Sequence, residues 1–194
     1  MIKHKLYYLS IFFIFFHSVS FAQTKISNRK TATSAYIKCD AVFPKCFIGN
    51  WKGELQWMVN GKPTQTFTMQ LRIQPTDSAN KYTWQIIYGD DNKDNRPYIL
   101  KTVDTAKGHW IVDEKDGIIL DSYVHDNCIH GAFTVQSNTI VDNYCVEGNT
   151  MQVEFFSIKL ADKKQSGKGT AETPFVDSYK ISSYQKGVLK KVKL

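Results

Sequence analysis

Hydrophobic and polar residues alternate with a period of two along most of this chain. In residues 51–59 large apolar side chains occupy one phase, while Lys52 and Glu54 occupy the other. The same alternation runs through residues 67–73 and 82–88. Successive side chains of a β-strand point to opposite faces, so this pattern predicts strands with one face in a core and the other in water.

Turn-forming residues separate these segments. Asn60-Gly61 is the strongest two-residue hairpin signal that a sequence offers. Further clusters of Gly, Asn, Asp and Lys predict additional strands near residues 97–105, 109–114, 118–125, 128–135, 139–146 and 150–158. Residues 161–173 predict a polar loop, and residues 176–192 predict either one more strand or a short terminal helix.

So many consecutive strands joined by short turns predict an all-β fold, an antiparallel up-and-down β-barrel of 8–10 strands. Closure into a barrel removes the exposed sheet edges that an open meander would leave. A two-sheet β-sandwich is the alternative. Strand alternation also predicts which side chains face the interior: Trp57, Phe67, Met69, Leu71, Tyr82, Trp84, Ile86, Tyr88, Phe133, Tyr144, Val153 and Phe155.

The first 22 residues have the pattern of a secretory signal peptide. Lys3 and Lys5 precede an apolar run over residues 6–16, and small residues at Ser20 and Ala22 predict cleavage after Ala22. The run is shorter than the ~20 residues that a membrane-spanning helix needs. We therefore expect an exported protein, periplasmic or extracellular, with no stable membrane span after signal removal.

The remaining chain predicts one domain. Residues 23–45 are rich in Ser, Thr and Lys and predict a flexible N-terminal lead-in. Residues 46–194 predict a single barrel domain that includes the polar loop 161–173 and a C-terminal extension.

The cysteine count fits the exported location. The four cysteines, an even number, predict two disulfides in an oxidising compartment. Spacing favours Cys39–Cys46 and Cys128–Cys145, the second crossing a hairpin. Direct opposition of Cys128 and Cys145 would place Gly131 opposite Asp142. A zinc site is the rival interpretation, but no cysteine pair has the spacing of a structural zinc site.

Charge excludes one class of partner. The formal net charge is +7, or about +5 without Lys3 and Lys5, and the lysines are scattered rather than aligned. Nucleic acid is therefore not an expected partner. The basic cluster in the last nine residues predicts a solvated tail.

No catalytic residue, metal ligand or cofactor site is predicted. Asp90, Asn92 and Asp94 occupy positions one, three and five of a calcium loop, but Lys101 stands at position twelve where a bidentate Glu is needed. A polar hairpin loop is the favoured interpretation. His109, His125 and His130 are candidate ligands or bases, although no activated nucleophile lies beside them. A carboxylate-rich stretch leaves a paired acid/base site open, with Asp113, Glu114, Asp116, Asp121 and Asp126 as its members.

One short motif carries a family resemblance. Gly49-Asn50-Trp51 at the start of the first predicted strand resembles the Gly-x-Trp signature of the lipocalins, in the calycin superfamily. The resemblance implies that Trp51 closes the narrow end of the barrel and that a basic side chain packs on its indole. Lys159, just after the 150–158 strand, is the candidate for that cation.

The sequence favours three functions, in order of preference. The first is a secreted, non-enzymatic barrel that binds a small apolar or amphipathic ligand. The second is a protein-interaction module, such as an inhibitor of a secreted hydrolase, and the third is an enzyme with an Asp/His site. The predicted ligand contacts are Trp57, Phe67, Met69, Tyr82, Trp84, Tyr88, Phe133, Tyr144 and Phe155.

Overall fold

The computed structural model describes residues 43–193, which form ten β-strands. The predicted signal peptide, most of the lead-in and Cys39 lie outside the described residues. The strands are β1 (Gly49–Val59), β2 (Lys62–Ile73), β3 (Lys81–Tyr88), β4 (Asp94–Asp104), β5 (His109–Asp113), β6 (Ile119–His125), β7 (Cys128–Val135), β8 (Asn138–Glu147), β9 (Thr150–Ser166) and β10 (Val176–Val192).

Each strand pairs antiparallel with its neighbour in the chain, and β10 pairs with β1 to close the barrel. The closing register places Trp51 opposite Lys191 and Leu55 opposite Gly187. The predicted up-and-down barrel is thus confirmed, and the two-sheet sandwich is wrong. Closure pairs the edges that a sandwich would have had to protect.

The β1–β2 turn forms where the sequence predicts it. Asn60 has a φ of 51° and Gly61 a φ of 74°. Positive φ at both central residues gives the turn a twist that matches the twist of the flanking strands. Within residues 43–193, no helix is long and apolar enough to cross a membrane.

The β7–β8 hairpin confirms the predicted register. Cys128 faces Cys145, and Gly131 faces Asp142. The two cysteines form a disulfide with a Cα–Cα distance of 4.1 Å. Such a bond fits an oxidising environment. The other predicted pair, Cys39–Cys46, includes Cys39 and so lies outside the described residues.

The hairpin between β9 and β10 is longer than predicted. Residues 161–166, expected in a loop, continue β9, and residues 176–192 form a strand rather than a helix. The side chains of 161–166 are all exposed. This part of the strand is held by pairing with β10 and needs no apolar face, so hydrophobic alternation does not reveal it.

The barrel interior differs along its axis, and we name its two parts. The closed half lies where β1 begins and where the chain enters from residues 43–48. The open half lies where β1 ends. The closed half is filled by side chains that are fully buried, among them Phe47, Trp51, Met69, Leu71, Ile73, Leu100, Met151 and Leu189.

Trp51 seals the closed half. Its indole Nε1 donates a hydrogen bond to the carbonyl of Phe47 at 2.8 Å. The Nζ of Lys191 lies 5.1 Å from the centre of its ring, within cation–π range. Gly49 has a φ of 149°, and a Cβ there would lie 2.4 Å from Cε of Lys191. Glycine at this position therefore relieves backbone strain and leaves room for the lysine stem.

The prediction of Lys159 as this cation is wrong. Lys159 pairs with Asn138 and Lys180, at the end of the barrel opposite Trp51. Antiparallel pairing explains the difference, because it is the end of β10 that returns to the start of β1. A cation for Trp51 therefore has to come from the last strand, where Lys191 stands.

Candidate functional site

A cavity of about 550 Å³ occupies the open half of the barrel. Its wall is mainly aromatic and aliphatic, with a smaller number of polar groups. The aromatic lining residues are Trp57, Phe67, Trp84, Tyr88, Tyr98, Phe133, Tyr144 and Phe155. The main polar lining residues are Gln65, Asp94, Arg96, Glu114, Asp121, Ser122, Asp142, Ser157 and Gln185.

Most of the predicted ligand contacts lie in this wall. They are Trp57, Phe67, Trp84, Tyr88, Phe133, Tyr144 and Phe155. Met69 and Tyr82 do not: Met69 is fully buried in the closed half, and the Tyr82 ring lies 6.1 Å from that of Trp110. Alternation predicts the face on which a side chain lies but not its height along the barrel axis, which decides between filled core and cavity.

The rings of the wall pack edge to face. The Trp84 and Tyr144 rings lie 5.1 Å apart, and Tyr144 lies 5.6 Å from Phe155. On the neighbouring strands β2 and β3, Phe67 lies 5.8 Å from Tyr88. Edge-to-face pairs prefer these distances, so the rings hold one another in fixed orientations. The cavity surface is therefore preformed rather than assembled by a ligand.

An ion pair stands in the wall on β4. The Arg96 guanidinium donates to Asp94 through Nε at 2.8 Å and through a terminal nitrogen at 2.9 Å. It also lies 4.9 Å from the centre of the Tyr88 ring. The bidentate hydrogen bond raises the pKa of Arg96 above its usual value, and burial raises the pKa of Tyr88 to about 12. Each charge of this pair is thus already compensated.

Asp142 contributes a carboxylate without such a partner. It lies on β8 opposite Gly131, and a Cβ at Gly131 would meet its carboxylate oxygens at 2.8 and 2.9 Å. The missing side chain of Gly131 therefore provides the space for the carboxylate. Burial raises the pKa of Asp142 to about 6, an effect that His130 and a backbone hydrogen bond from Gly131 only partly offset.

Glu114 is a second carboxylate of the wall, just beyond β5. Its pKa is raised by burial and by the nearby Asp116, while a hydrogen bond with Tyr98 acts in the opposite direction. The pKa of Tyr98 is raised mainly by its own burial. Glu114 and Asp142 thus both lie where a negative charge is poorly solvated.

The other carboxylates of the acidic stretch do not meet at one point. Asp113 pairs with Lys101, and that interaction lowers the pKa of Asp113. Asp121 lies 2.6 Å from Nε2 of His109, which stacks on Tyr123. Within the described chain, these side chains form separate pairs rather than one acid/base site.

Of the other candidate ligand groups, His125 and His130 lie side by side, and the acidic β3–β4 turn makes an ion pair of its own. His130 lies 2.7 Å from Asn143, and its ring centre is 5.8 Å from that of His125. In the β3–β4 turn, Asp91 pairs with Lys93. Among residues 43–193, no group of three or more His, Cys, Asp or Glu side chains is placed to hold a metal ion.

Comparisons with known proteins bear on the fold. No protein-family model matches the chain, and no curated protein is significantly similar to it. One similar solved structure is a protein of unknown function of the DUF3598 family from Nostoc punctiforme. It superposes with a TM-score of 0.53 at 11% identity, over 76% of this chain and 48% of that one. The chain thus spans about half of that protein, and the likeness shows the fold alone.

Sequence reasoning missed the polar part of the wall. Asp94 and Arg96 stand before the predicted start of the fourth strand at residue 97, so they were not assigned a face. Asp142 had a usable signal, because the predicted hairpin register already placed it opposite Gly131, in the apolar row that contains Tyr144. A charged residue in an inward phase is the pattern that would have identified it.

Proposed function

We propose that this protein is an exported, calycin-like barrel that binds a small amphipathic molecule in the cavity of its open half. The cavity is the observation that carries the proposal. A volume of about 550 Å³ lies within the range of small-molecule sites. A mostly apolar wall with a few polar groups is typical of such sites, because apolar contacts provide affinity and polar groups provide orientation.

The rest of the barrel supports the same proposal. The closed half is filled and sealed by Trp51, so the open volume is confined to one end. The Gly49–Trp51 motif with a lysine from the last strand on the indole is the arrangement that the lipocalin resemblance implies. Export is supported by the predicted signal peptide and by the Cys128–Cys145 disulfide.

The test uses N-phenyl-1-naphthylamine, an uncharged dye whose fluorescence rises in apolar surroundings. The wild-type protein should bind it with one site. Trp84→Ala and Tyr88→Ala should each weaken binding by about tenfold, the loss expected from ~1.4 kcal/mol of contact energy. Tyr179→Ala is the matched control, since Tyr179 is 46% exposed on the distal β9–β10 hairpin.

A filling variant guards against a trivial loss through misfolding. Ser157 lines the cavity, and Ser157→Phe would add a ring to the empty volume without removing a core side chain. This variant should keep the circular dichroism spectrum of the wild type and lose dye binding. Absence of dye binding by the folded wild type, or full binding by Ser157→Phe, would contradict the proposal.

A further inference from the structure

We infer that the ligand of this cavity carries a cationic ammonium group, which lies against the Asp142 carboxylate among the aromatic rings of the wall. This inference rests on the proposed binding function and adds the chemical class of the ligand. It is drawn from the placement of charge in the cavity, from the surroundings of Asp142 and from the state of Arg96.

The charges of the wall are unbalanced. Among the described lining residues, Arg96 is the cation, and it stands against the carboxylates of Asp94, Glu114 and Asp142. Asp94 is bound by Arg96. The Asp121 carboxylate does not count, because it lies on the outward face of β6 and binds His109 there. Glu114 and Asp142 remain without a cationic side chain bound to them in the wall. The cavity is therefore acidic, although the chain as a whole has a formal net charge of +7.

Asp142 is the deeper of these two carboxylates. Its opposite residue on β9 is Phe155, and the next inward residue on β8 is the buried Tyr144. A carboxylate in apolar surroundings gains most from an opposite charge, because little water competes for either ion. A cationic ligand would supply the partner that the protein does not place there.

The rings around Asp142 also favour a cation. Trp84, Tyr144 and Phe155 pack edge to face, so parts of their faces border the cavity. The face of an aromatic ring carries negative potential and attracts ammonium groups, with Trp the strongest partner. An ammonium on a hydrocarbon body would meet a carboxylate and ring faces together, while its body fills the apolar wall.

An anionic ligand is disfavoured by the state of Arg96. Its guanidinium is held by Asp94 through two hydrogen bonds of 2.8 and 2.9 Å and covers Tyr88. Asp94 already offsets the charge of the guanidinium, which reduces the attraction that Arg96 would offer a ligand carboxylate. Such a carboxylate would also share the cavity with Glu114 and Asp142, which repel it, whereas a cation is attracted to both.

The affinity should depend on pH. The titratable groups that interact with Asp142 are His130 from β7, Tyr88 from β3 and Tyr144 on β8 itself. Arg96 and Tyr98 from β4 interact with the same two tyrosines. An ammonium ligand prefers the ionised carboxylate, and the pKa of Asp142 is raised to about 6. Lowering the pH from about 7.5 to about 5 should therefore weaken its binding by about tenfold, while a neutral ligand should be unaffected.

The experiment displaces N-phenyl-1-naphthylamine from the wild-type protein with octylamine, 1-octanol and octanoate, which share one chain length and differ in charge. Octylamine should bind at least tenfold more tightly than the other two compounds. Asp142→Asn should weaken octylamine by about 10- to 100-fold and remove its pH dependence. It should leave 1-octanol within about twofold.

Asp126→Asn is the matched control. It removes one carboxylate from the β6–β7 turn, at an exposed position with a φ of 53° that asparagine tolerates. This variant should retain the wild-type preference for octylamine. Equal or tighter binding of 1-octanol or octanoate would overturn the inference and leave the proposed function standing. Failure of the wild type to bind the dye and all three compounds would overturn both.

Discussion

The two halves of this barrel are built from the same ten strands, but one half has a filled core and the other contains a cavity. In the closed half, Trp51, Leu71 and Leu189 are fully buried, and a hydrogen bond to the carbonyl of Phe47 fixes the Trp51 indole. In the open half, aromatic rings pack against each other around a space of about 550 Å³, and charged groups enter the wall. The closed half stabilises the fold. The open half contains charged side chains that are only partly solvated in the folded protein.

This difference indicates that the closed half mainly provides stability and that the open half is the candidate for function. A filled interior at native density contributes dispersion contacts and excludes water. A preformed cavity forgoes those contacts, and a partly buried carboxylate such as Asp142 reduces stability further. Proteins retain such sites when they serve binding, which is why Asp142 rather than any residue of the closed half is the central functional candidate.

The largest effect should come from a matched pair of tryptophans on β1. Trp51 is fully buried in the closed half, whereas Trp57 is half-buried in the cavity wall. Trp51→Ala should lower the free energy of unfolding by about 3–5 kcal/mol, as for other buried aromatics. Trp57→Ala should lower it by only about 1–2 kcal/mol, since its ring already borders empty space. Urea unfolding measures both, and equal losses would remove the distinction between the halves.

The second effect is the cost of the cavity carboxylate. The folded-state pKa of Asp142 is about 6, above the ~3.9 of an unfolded aspartate, so the folded state holds this proton more tightly. The free energy of unfolding should therefore fall by about 2–3 kcal/mol as the pH rises from about 4 to above 6. Asp142→Asn should abolish that part of the pH profile and be more stable than wild type at pH ~7.5.

Asp126→Asn again provides the comparison. Its pH profile should keep the wild-type slope between about pH 4 and 6. Urea unfolding at each pH measures the free energy of unfolding of the wild type and of both variants. If it fell equally with pH in the wild type and in Asp142→Asn, Asp142 would not be the source of the pH dependence.

A third, smaller effect tests the seal of the closed half. Gly49→Ala would strain a φ of 149° and displace Lys191 from the Trp51 ring. We expect it to lower the free energy of unfolding by about 1–2 kcal/mol. Gly61→Ala is the control, because Gly61 has a φ of 74° but no atom within 4 Å of its added Cβ. If Gly61→Ala lowered the free energy of unfolding as much as Gly49→Ala does, backbone strain would explain the whole effect, and displacement of Lys191 would contribute nothing.

The smallest effect should come from the distal β9–β10 hairpin, which extends beyond the barrel and exposes Phe175 at 61% and Val176 at 53%. Joining Lys159 directly to Lys180, which are register partners, through an Asn-Gly turn would remove most of it. The free energy of unfolding should change by less than about 1 kcal/mol, and dye affinity by less than about twofold. A loss of folding or dye binding would show that the hairpin supports the open half.

The same hairpin bears on the alternative of a protein-interaction module, which stays a prediction. Exposed apolar side chains on a projecting ribbon are a feature that such modules share. Retention of dye binding after hairpin removal would show that the cavity works without it.

The sequence predicted the fold well because the fold depends on local signals. Period-two alternation set the faces of the strands, and turn residues such as Asn60-Gly61 set the connections. The register at Cys128–Cys145 was predictable because a disulfide requires the two residues to face each other. The polar end of β9 was missed because it has no apolar phase to reveal it.

The candidate site was predicted only in part, for a physical reason. Alternation identified Trp84, Tyr88 and Tyr144 as inward, but whether an inward ring fills a core or borders a cavity depends on volume across the barrel. The free volume across the barrel depends on the side chains of all the strands together. The choice of Lys191 over Lys159 likewise depends on which strand closes the barrel, and pairing between the ends of a chain has no local signature.

The most direct test places a reporter in each half of one wild-type protein. The four tryptophans divide evenly, with Trp51 and Trp110 in the closed half and Trp57 and Trp84 in the cavity wall. We would label them with 5-fluorotryptophan, assign each ¹⁹F resonance by single Trp→Phe substitution, and titrate with N-phenyl-1-naphthylamine. The Trp57 and Trp84 resonances should shift with saturation while the Trp51 and Trp110 resonances stay in place. Unchanged Trp57 and Trp84 resonances, or equal shifts at Trp51 and Trp110, would contradict a ligand site in the open half.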